Sequence, residues 1–211
     1  MGIEELCRRH HIEVRPTSEE KLTEMSSGVH NGFVAELEEA SAAVRGMDRD
    51  RDLVVLLEDI QDPRNLGAIL RVCEGAGVGR VLLRDRGSAP ISPAVVKTAA
   101  GATEWLEVER IVNPARAIEE LKRQGYWIYG TGSEGQPPWE IDLRGQVVLC
   151  FGGEEKGLRA RTRKVCDALI GLPMRGAVES LNVSAATAAV VYEAIRQRLS
   201  SDPLPPAGDS S

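Results

Sequence analysis

From residue 53 onward, short continuous apolar runs alternate with longer amphipathic stretches. The run Leu53–Leu57 has only apolar side chains, which is typical of a strand that is covered on both faces. A stripe with helical spacing follows within 65–77. Strands that alternate with helices predict an α/β fold with a mainly parallel sheet. Further strands are predicted at 80–83, 103–108, 126–130, 146–151 and 168–172, and further helices at 92–101, 114–124, 157–166 and 183–199.

The first part of the chain has a weaker pattern and is too short to hold a core of its own. It predicts two short helices, at 3–11 and 18–26, and two short strands, at 12–15 and 33–37. We therefore divide the chain into a small α/β appendage at 1–39, a connector at 40–51 and a main domain at 52–199. Residues 200–211 form a Pro/Ser-rich tail that we expect to be disordered.

Composition excludes several classes of protein. The chain has 211 residues, of which 42% are hydrophobic and 27% charged, and these values are ordinary for a soluble globular protein. We find no apolar run of bilayer length and no signal-peptide pattern, so we expect a cytoplasmic protein without a membrane partner. The four cysteines form no Cys-x-x-Cys pair, which favours buried reduced thiols over a metal or disulfide role.

Charge is unevenly distributed along the chain. The formal net charge of −6 argues against a general polyanion-binding protein. Five basic residues nevertheless lie between positions 156 and 164 without an acidic one, namely Lys156, Arg159, Arg161, Arg163 and Lys164. Such a patch can bind nucleic acid, and a solvated helix face explains the charges alone equally well.

Three polar loops, at 58–65, 151–157 and 173–182, each follow a predicted strand. In parallel α/β folds, ligands bind beyond the carboxyl ends of the strands, so these loops are expected to outline one site. Asn65 would suit the N-cap of the first helix. Gly67, Arg71 and Gly75 share a face of that helix, which indicates either a close approach to a ligand or close helix packing.

The second and third loops carry different chemistry. The glycines after Phe151 let backbone N–H groups approach a ligand, although the loop matches neither Gly-x-Gly-x-x-Gly nor a P-loop. Ser180 and Asn182 stand at a helix N-terminus, where polar ligands are readily held. No histidine lies near any of the loops, which argues against a Ser-His-Asp hydrolase and against a zinc site.

The three loops together resemble a known family. The patterns are Asn65-x-Gly67-x-x-x-Arg71, Phe151-Gly-Gly-Glu154-x-x-Gly157 and Leu172-Pro-Met-x-x-x-x-x-Ser180-Leu-Asn182. In order and spacing they resemble the three motifs of the SpoU (TrmH-type) ribose 2′-O-methyltransferases of the SPOUT class. The resemblance runs from about residue 53 to 198 and is greatest to bacterial members that methylate a guanosine ribose in large-subunit ribosomal RNA. Residues 3–38 look like only the second half of the N-terminal RNA-binding domain of those enzymes.

The resemblance implies a trefoil knot between the second and third motifs, a homodimer, an RNA substrate and S-adenosylmethionine as cofactor, without a metal ion. The implied catalytic residues are Asn65, Arg71, Glu154, Ser180 and Asn182. The implied cofactor-binding residues are Thr131, Gly152, Gly153, Leu172, Met174 and Leu181. We expect RNA contacts from Arg64, Lys156, Arg159, Arg161 and Arg163.

Alternative functions remain open on the sequence. The chain could be a tRNA ribose methyltransferase, which the motifs do not distinguish from an rRNA enzyme. It could also be a non-catalytic RNA-binding or ribosome assembly factor on the same fold, although the presence of Arg71 and Glu154 argues against this. A dinucleotide-dependent dehydrogenase is disfavoured because its glycine fingerprint is missing.

Overall fold

The computed structural model describes residues 3–26, 30–35 and 50–200. The chain divides into two compact units, Met1–Ser41 and Ala42–Ser211. In the first unit, helix α1 spans Ile3–Arg9 and helix α2 spans Glu19–Met25. The strand predicted at 12–15 is wrong, because Ile12 and Val14 are both more than half exposed and no ladder partner pairs with them within the described residues.

Other expectations for the ends of the chain fall mostly outside the described residues. Residues 33–35 form no strand, and 36–37 lie beyond the described part. The same holds for 40–49 of the predicted connector and for 201–211 of the predicted tail.

The second unit is built on a six-stranded parallel sheet with the order β3-β2-β1-β5-β4-β6. Its strands are β1 Asp50–Glu58, β2 Val78–Arg84, β3 Val108–Ile111, β4 Trp127–Gln136, β5 Val147–Gly152 and β6 Ala168–Ile170. Its helices are α3 Pro63–Gly75, α4 Pro93–Ala99, α5 Pro114–Arg123, α6 Ala160–Val165 and α7 Val183–Leu199, with 3-10 turns at Ala102–Glu104 and Pro138–Glu140. The predicted α/β class with a parallel sheet is confirmed.

Both faces of the sheet are covered by helices, because successive side chains of β1 pack alternately into two buried clusters on opposite faces. Leu53, Val55 and Leu57 belong to one buried cluster, which includes the apolar faces of α3, α4 and α7. Val54 and Leu56 belong to a second cluster on the opposite face, together with α5. All five are 1% exposed or less, which explains why the β1 sequence is a continuous apolar run.

Several element boundaries differ from the predictions, and three of the differences have local backbone reasons. Residues 103–107 form no strand, because Ala100 and Gly101 adopt positive φ and lead into a 3-10 turn, so that β3 begins only at Val108. Strand β4 continues to Gln136, well into the predicted loop at 131–145, and pairs there with Ile170 of β6.

The third difference concerns the basic segment, because α6 begins only at Ala160 rather than at residue 157. Gly157 has a φ of 60° and closes a tight turn by donating its N–H to the Gly153 carbonyl oxygen at 2.9 Å. Lys156 therefore lies in that turn, and Arg159 stands at the N-cap of α6.

The beginning of α3 corrects one assignment made from the sequence. Asp62 is the N-cap, and its Oδ1 accepts the Arg64 N–H at 2.8 Å. Asn65 lies inside the first turn instead, so its side chain is available for a long-range contact. Gly67 allows close packing of α3 on α4, because a Cβ at this position would lie only 2.6 Å from the Thr98 Cβ of α4.

Two further properties bear on the class of protein. Among the described residues, we find no helix with the length and apolar character needed to cross a bilayer. All four cysteines are free, and burial raises the pKa of the Cys73 thiol to about 12, which keeps it protonated and unreactive.

Candidate active site

A cavity of about 630 Å³ lies beyond the carboxyl ends of β5 and β6 and against the middle of β4, and it is closed by the start of α7. Residues of both the second and the third loop line it. The structure places all six predicted cofactor-binding residues in its wall: Thr131, Gly152, Gly153, Leu172, Met174 and Leu181. Glu154, Ser180 and Asn182 line it as well. Asn65 and Arg71 belong to α3 and are not among its lining residues.

The glycines around the cavity are required mainly by neighbouring backbone. A Cβ at Gly152 would lie 2.0 Å from the Gly157 carbonyl carbon, and one at Gly153 would lie 2.2 Å from the Asp59 carbonyl oxygen. A Cβ at Gly135 would lie 2.3 Å from the carbonyl carbon of Ile170. The sequence analysis explained Gly152 and Gly153 by the close approach of a ligand. The structure shows that neighbouring backbone already excludes a side chain at both positions.

A chain of hydrogen bonds joins the three motifs at the rim of the cavity. Asn65 Nδ2 donates to Glu154 Oε1, although the two residues are 89 positions apart. Asn182 Nδ2 donates to Asn65 Oδ1 at 3.1 Å, across 117 positions. The amide of Asn65 thus links residues 152–157, which we call the glycine loop, to the loop before α7.

Asn182 has a second role at this rim. It is the N-cap of α7, and its Oδ1 accepts the Ser184 N–H at 2.9 Å and the Ser184 hydroxyl at 2.6 Å. The side-chain oxygen therefore accepts hydrogen bonds from the first turn of α7, and the side-chain amino group donates to Asn65. This bifunctional use explains why an asparagine, which has both a donor and an acceptor, suits the position.

The other two predicted catalytic residues, Ser180 and Arg71, have side chains without partners among the described residues. Ser180 lies exposed in the cavity wall, and Arg71 is exposed on α3. Neither side chain makes a hydrogen bond or an ion pair with the part of the chain that the structure describes. Both are therefore available to a ligand, and their catalytic roles stay predictions.

The predicted RNA-contacting residues differ in how far they are neutralised. Arg64 pairs with its neighbour Asp62 at 3.0 Å, and Arg163 pairs with Glu134. Arg159 Nε lies 2.6 Å from Asp59 Oδ2. Lys156 and Arg161 are exposed and have no ionic partner within the described ranges. The basic patch thus offers fewer free charges than its sequence indicates.

The wall of the cavity combines apolar surface with negative charge. Ile170, Leu172 and Leu181 contribute apolar side chains, and Glu154 and Glu179 contribute carboxylates. None of the lining residues among those described is a lysine or an arginine. Such a wall favours a ligand with an apolar body and a net positive charge.

Sequence reasoning missed three acidic residues at or beside this site. Glu179 lines the cavity, and Glu58 and Asp59 lie at the end of β1 behind the glycine loop. Two acids after a buried strand form no recognisable motif. The only sequence signal for them is the change from an apolar run to two adjacent carboxylates.

Comparison with known proteins places this geometry in a wider group. The sequence profile of the SpoU rRNA Methylase family matches residues 52–192. A protein of Xanthomonas campestris named 23S rRNA (guanosine-2'-O-)-methyltransferase RlmB is 42% identical over 210 residues, covering 93% of this chain and 83% of its own length. The protein of that name from Pseudomonas aeruginosa is 39% identical over 202 residues, covering 92% and 82%.

Solved structures give the same grouping. The SpoU methyltransferase AviRb from Streptomyces viridochromogenes, in complex with the cofactor AdoMet, superposes with a TM-score of 0.68 at 27% identity, covering 73% of this chain and 60% of that one. The TrmH/SpoU tRNA modifying enzyme of A. aeolicus superposes with a TM-score of 0.65 at 31% identity, covering 71% and 76%.

Proposed function

Because this chain belongs to the SpoU rRNA methylase family, we propose that it transfers a methyl group from S-adenosylmethionine to a ribose 2′-hydroxyl of RNA. The substrate we propose is a guanosine of 23S ribosomal RNA, the RNA named for relatives that share about two fifths of the sequence. The observation that carries the proposal is the cavity on whose rim Asn65, Glu154 and Asn182 are joined by hydrogen bonds.

The cavity fits S-adenosylmethionine in size and charge. Its volume of about 630 Å³ lies in the range of about 300–1,000 Å³ that is usual for small-molecule sites. The cofactor has an aromatic adenine ring, whose faces match the aliphatic wall, and a net positive charge, which matches the carboxylates of Glu154 and Glu179. When bound, it supplies a methyl group that is already activated by the positive charge on its sulfur.

The residues of the chain then have to align the RNA and handle the proton of the hydroxyl. Asn65, Glu154 and Asn182 fix the relative positions of α3, the glycine loop and the start of α7. We assign Ser180 and Asn182 to the orientation of the target nucleotide, and their position in the cavity wall supports this assignment. Ser180 is not a nucleophile in this proposal, since no histidine lies near it in the sequence to activate it.

Arg71 has the role of stabilising charge. A guanidinium stays protonated and is a poor base, so we assign Arg71 to the phosphate beside the target and to the negative charge that develops on the 2′-oxygen. Arg71→Lys keeps the positive charge but loses the two-pronged geometry. We expect it to reduce methyl transfer strongly; near-normal transfer would refute the assignment.

The proposal includes the remaining features that the resemblance implies. They are a trefoil knot, a homodimer and the absence of a metal requirement. The proposal also includes the expected cytoplasmic location and, of the five residues expected to contact RNA, the contacts of Lys156 and Arg161. The free charges of Lys156 and Arg161 support the RNA contacts. The exposed Tyr192 and Leu199 on α7 offer apolar surface for a second copy of the chain. Light scattering of the purified chain would test the dimer.

The direct test is a methyl-transfer assay with radiolabelled S-adenosylmethionine. We expect label in 23S ribosomal RNA, at a ribose 2′-oxygen, and none in tRNA, which is included because one structural relative is named a tRNA modifying enzyme. Mapping of ribose methylation in cells with and without the gene would then locate the nucleotide. Cofactor binding by calorimetry without methyl transfer to either RNA would instead support a non-catalytic RNA-binding protein.

A further inference from the structure

Two adjacent carboxylates at the carboxyl end of β1 lie outside the three motifs, yet they hold the far side of the glycine loop. Glu58 is 1% exposed, and both of its oxygens are used. Oε2 accepts the backbone N–H of Arg159 at 3.0 Å, and Oε1 accepts the Thr162 hydroxyl at 3.0 Å. A buried carboxylate is tolerated only with such partners, so Glu58 ties the start of α6 to the end of the central strand.

Asp59 makes a second set of contacts from an unusual backbone conformation. Its φ is +59°, which turns the chain sharply out of β1. Its carboxylate accepts from Arg159 Nε at 2.6 Å and Arg159 Nη2 at 3.2 Å, and also from Arg84 Nη1. Burial alone would raise the pKa of Asp59, but the Arg159 hydrogen bonds and the charges of Arg84 and Arg159 outweigh it, so the pKa lies below its usual value.

These contacts fix both ends of the loop that carries Glu154. At its start, Gly152 is the ladder partner of Glu58, and Gly153 packs on the carbonyl oxygen of Asp59. Two residues beyond its end at Gly157, Arg159 is held by both carboxylates. Glu58, the last residue of β1, and Asp59, which follows it, therefore fix the position of the loop that forms one wall of the cavity.

We propose that Glu58 and Asp59 are positioning residues that set the 152–157 loop for cofactor binding, and that Arg159 acts through them rather than by binding an RNA phosphate. The inference rests on the proposed function, since it concerns the same cavity. It reassigns Arg159, because Nε and Nη2 of its guanidinium already face the Asp59 carboxylate and that edge of the fork is not open to a phosphate.

The test uses Arg159→Gln, Asp59→Asn and the double variant in the full chain. A control is Asp85→Asn, because Asp85 also forms an ion pair with an arginine, Arg110, at 2.9 Å and does not line the cavity. The dissociation constant of S-adenosylmethionine is measured by calorimetry and that of 23S ribosomal RNA by filter binding. Thermal unfolding of each variant separates folding from binding.

We expect each single variant to weaken cofactor binding by about tenfold. The double variant should lose no more than about twofold beyond the larger single effect, which we expect for Asp59→Asn, because both changes remove the Arg159–Asp59 contact and Asp59→Asn also weakens the pair with Arg84. Asp85→Asn should leave the cofactor constant within about twofold of the wild-type value. Arg159→Lys, which keeps the charge and loses the fork, should fall between the wild type and Arg159→Gln.

Two results would overturn the inference. One is an unchanged cofactor constant in Arg159→Gln with weaker RNA binding, which would make Arg159 a phosphate contact. The other is additive losses in the double variant, which would mean that Arg159 and Asp59 act independently. Failure of the proposed function looks different: the wild-type chain itself would then fail to bind the cofactor or to methylate RNA.

Discussion

Replacement of Asn182 separates the two contacts that this side chain makes. Alanine removes both the N-cap of α7 and the hydrogen bond to Asn65, whereas serine keeps an N-cap oxygen but is too short to reach Asn65. The two variants should therefore differ in stability and agree in activity.

The magnitudes follow from the exposure of these contacts. Loss of an N-cap costs about 1 kcal/mol, and loss of an exposed hydrogen bond adds about 0.5 kcal/mol. At about 2–4 °C per kcal/mol for a unit of this size, Asn182→Ala should lower the melting temperature by about 3–6 °C and Asn182→Ser by about 1–2 °C. Both should reduce methyl transfer by about tenfold or more, since the rim of the cavity loses its alignment.

The assay combines thermal unfolding with methyl transfer to 23S ribosomal RNA. Asn113→Ala is the matched control, because Asn113 caps α5 by accepting the Arg116 N–H at 3.3 Å and is not among the residues that line the cavity. It should lower the melting temperature by about 2–4 °C at full activity. Full activity in Asn182→Ser, or an equal loss of activity in Asn113→Ala, would refute the reasoning.

Three further predictions concern other parts of the site. Gly152→Ala should destabilise the chain by more than about 2 kcal/mol in urea unfolding and abolish cofactor binding, whereas Gly176→Ala, with open space at its Cβ, should change neither. The pKa of Asp59 is lowered on folding, so its stabilisation is present above the unfolded pKa of about 3.9 and is lost as the pH falls through the folded value. Asp59→Asn should hence lower stability at neutral pH and flatten its decline in acid; parallel urea midpoints across pH would contradict this. Lys156→Glu with Arg161→Glu should weaken RNA binding and reduce the slope of its salt dependence by about two, without altering cofactor affinity; an unchanged RNA constant would remove both residues from the interface.

The fold was largely predictable because its strands are short apolar runs bounded by polar loops. β1, β5 and α7 follow directly from such patterns. The extension of β4 to Gln136 was not predictable, since it depends on backbone contact between Gly135 and Ile170, which no local pattern records.

The candidate site was predictable only as far as motifs reach. The resemblance named the cofactor-binding residues that line the cavity, together with Glu154, Ser180 and Asn182, but it also named Arg71, which lies on α3 outside the lining. The sequence could not choose between Asp62 and Asn65 as the helix cap. Charge counting likewise could not show that Arg159 is paired, because its partner lies 100 positions earlier in the chain. Long-range pairing is a property of the tertiary structure.

The order of the strands has a consequence for the chain as it is synthesised. β1 is central in the sheet, but one of its two neighbours is β5, which begins only at Val147. A nascent chain that ends at α5 has already made β1, β2 and β3, and it presents the apolar β1 with one edge unpaired. Such an edge is a template for pairing with other chains, so translation beyond β5 is the step that ends the exposure to aggregation.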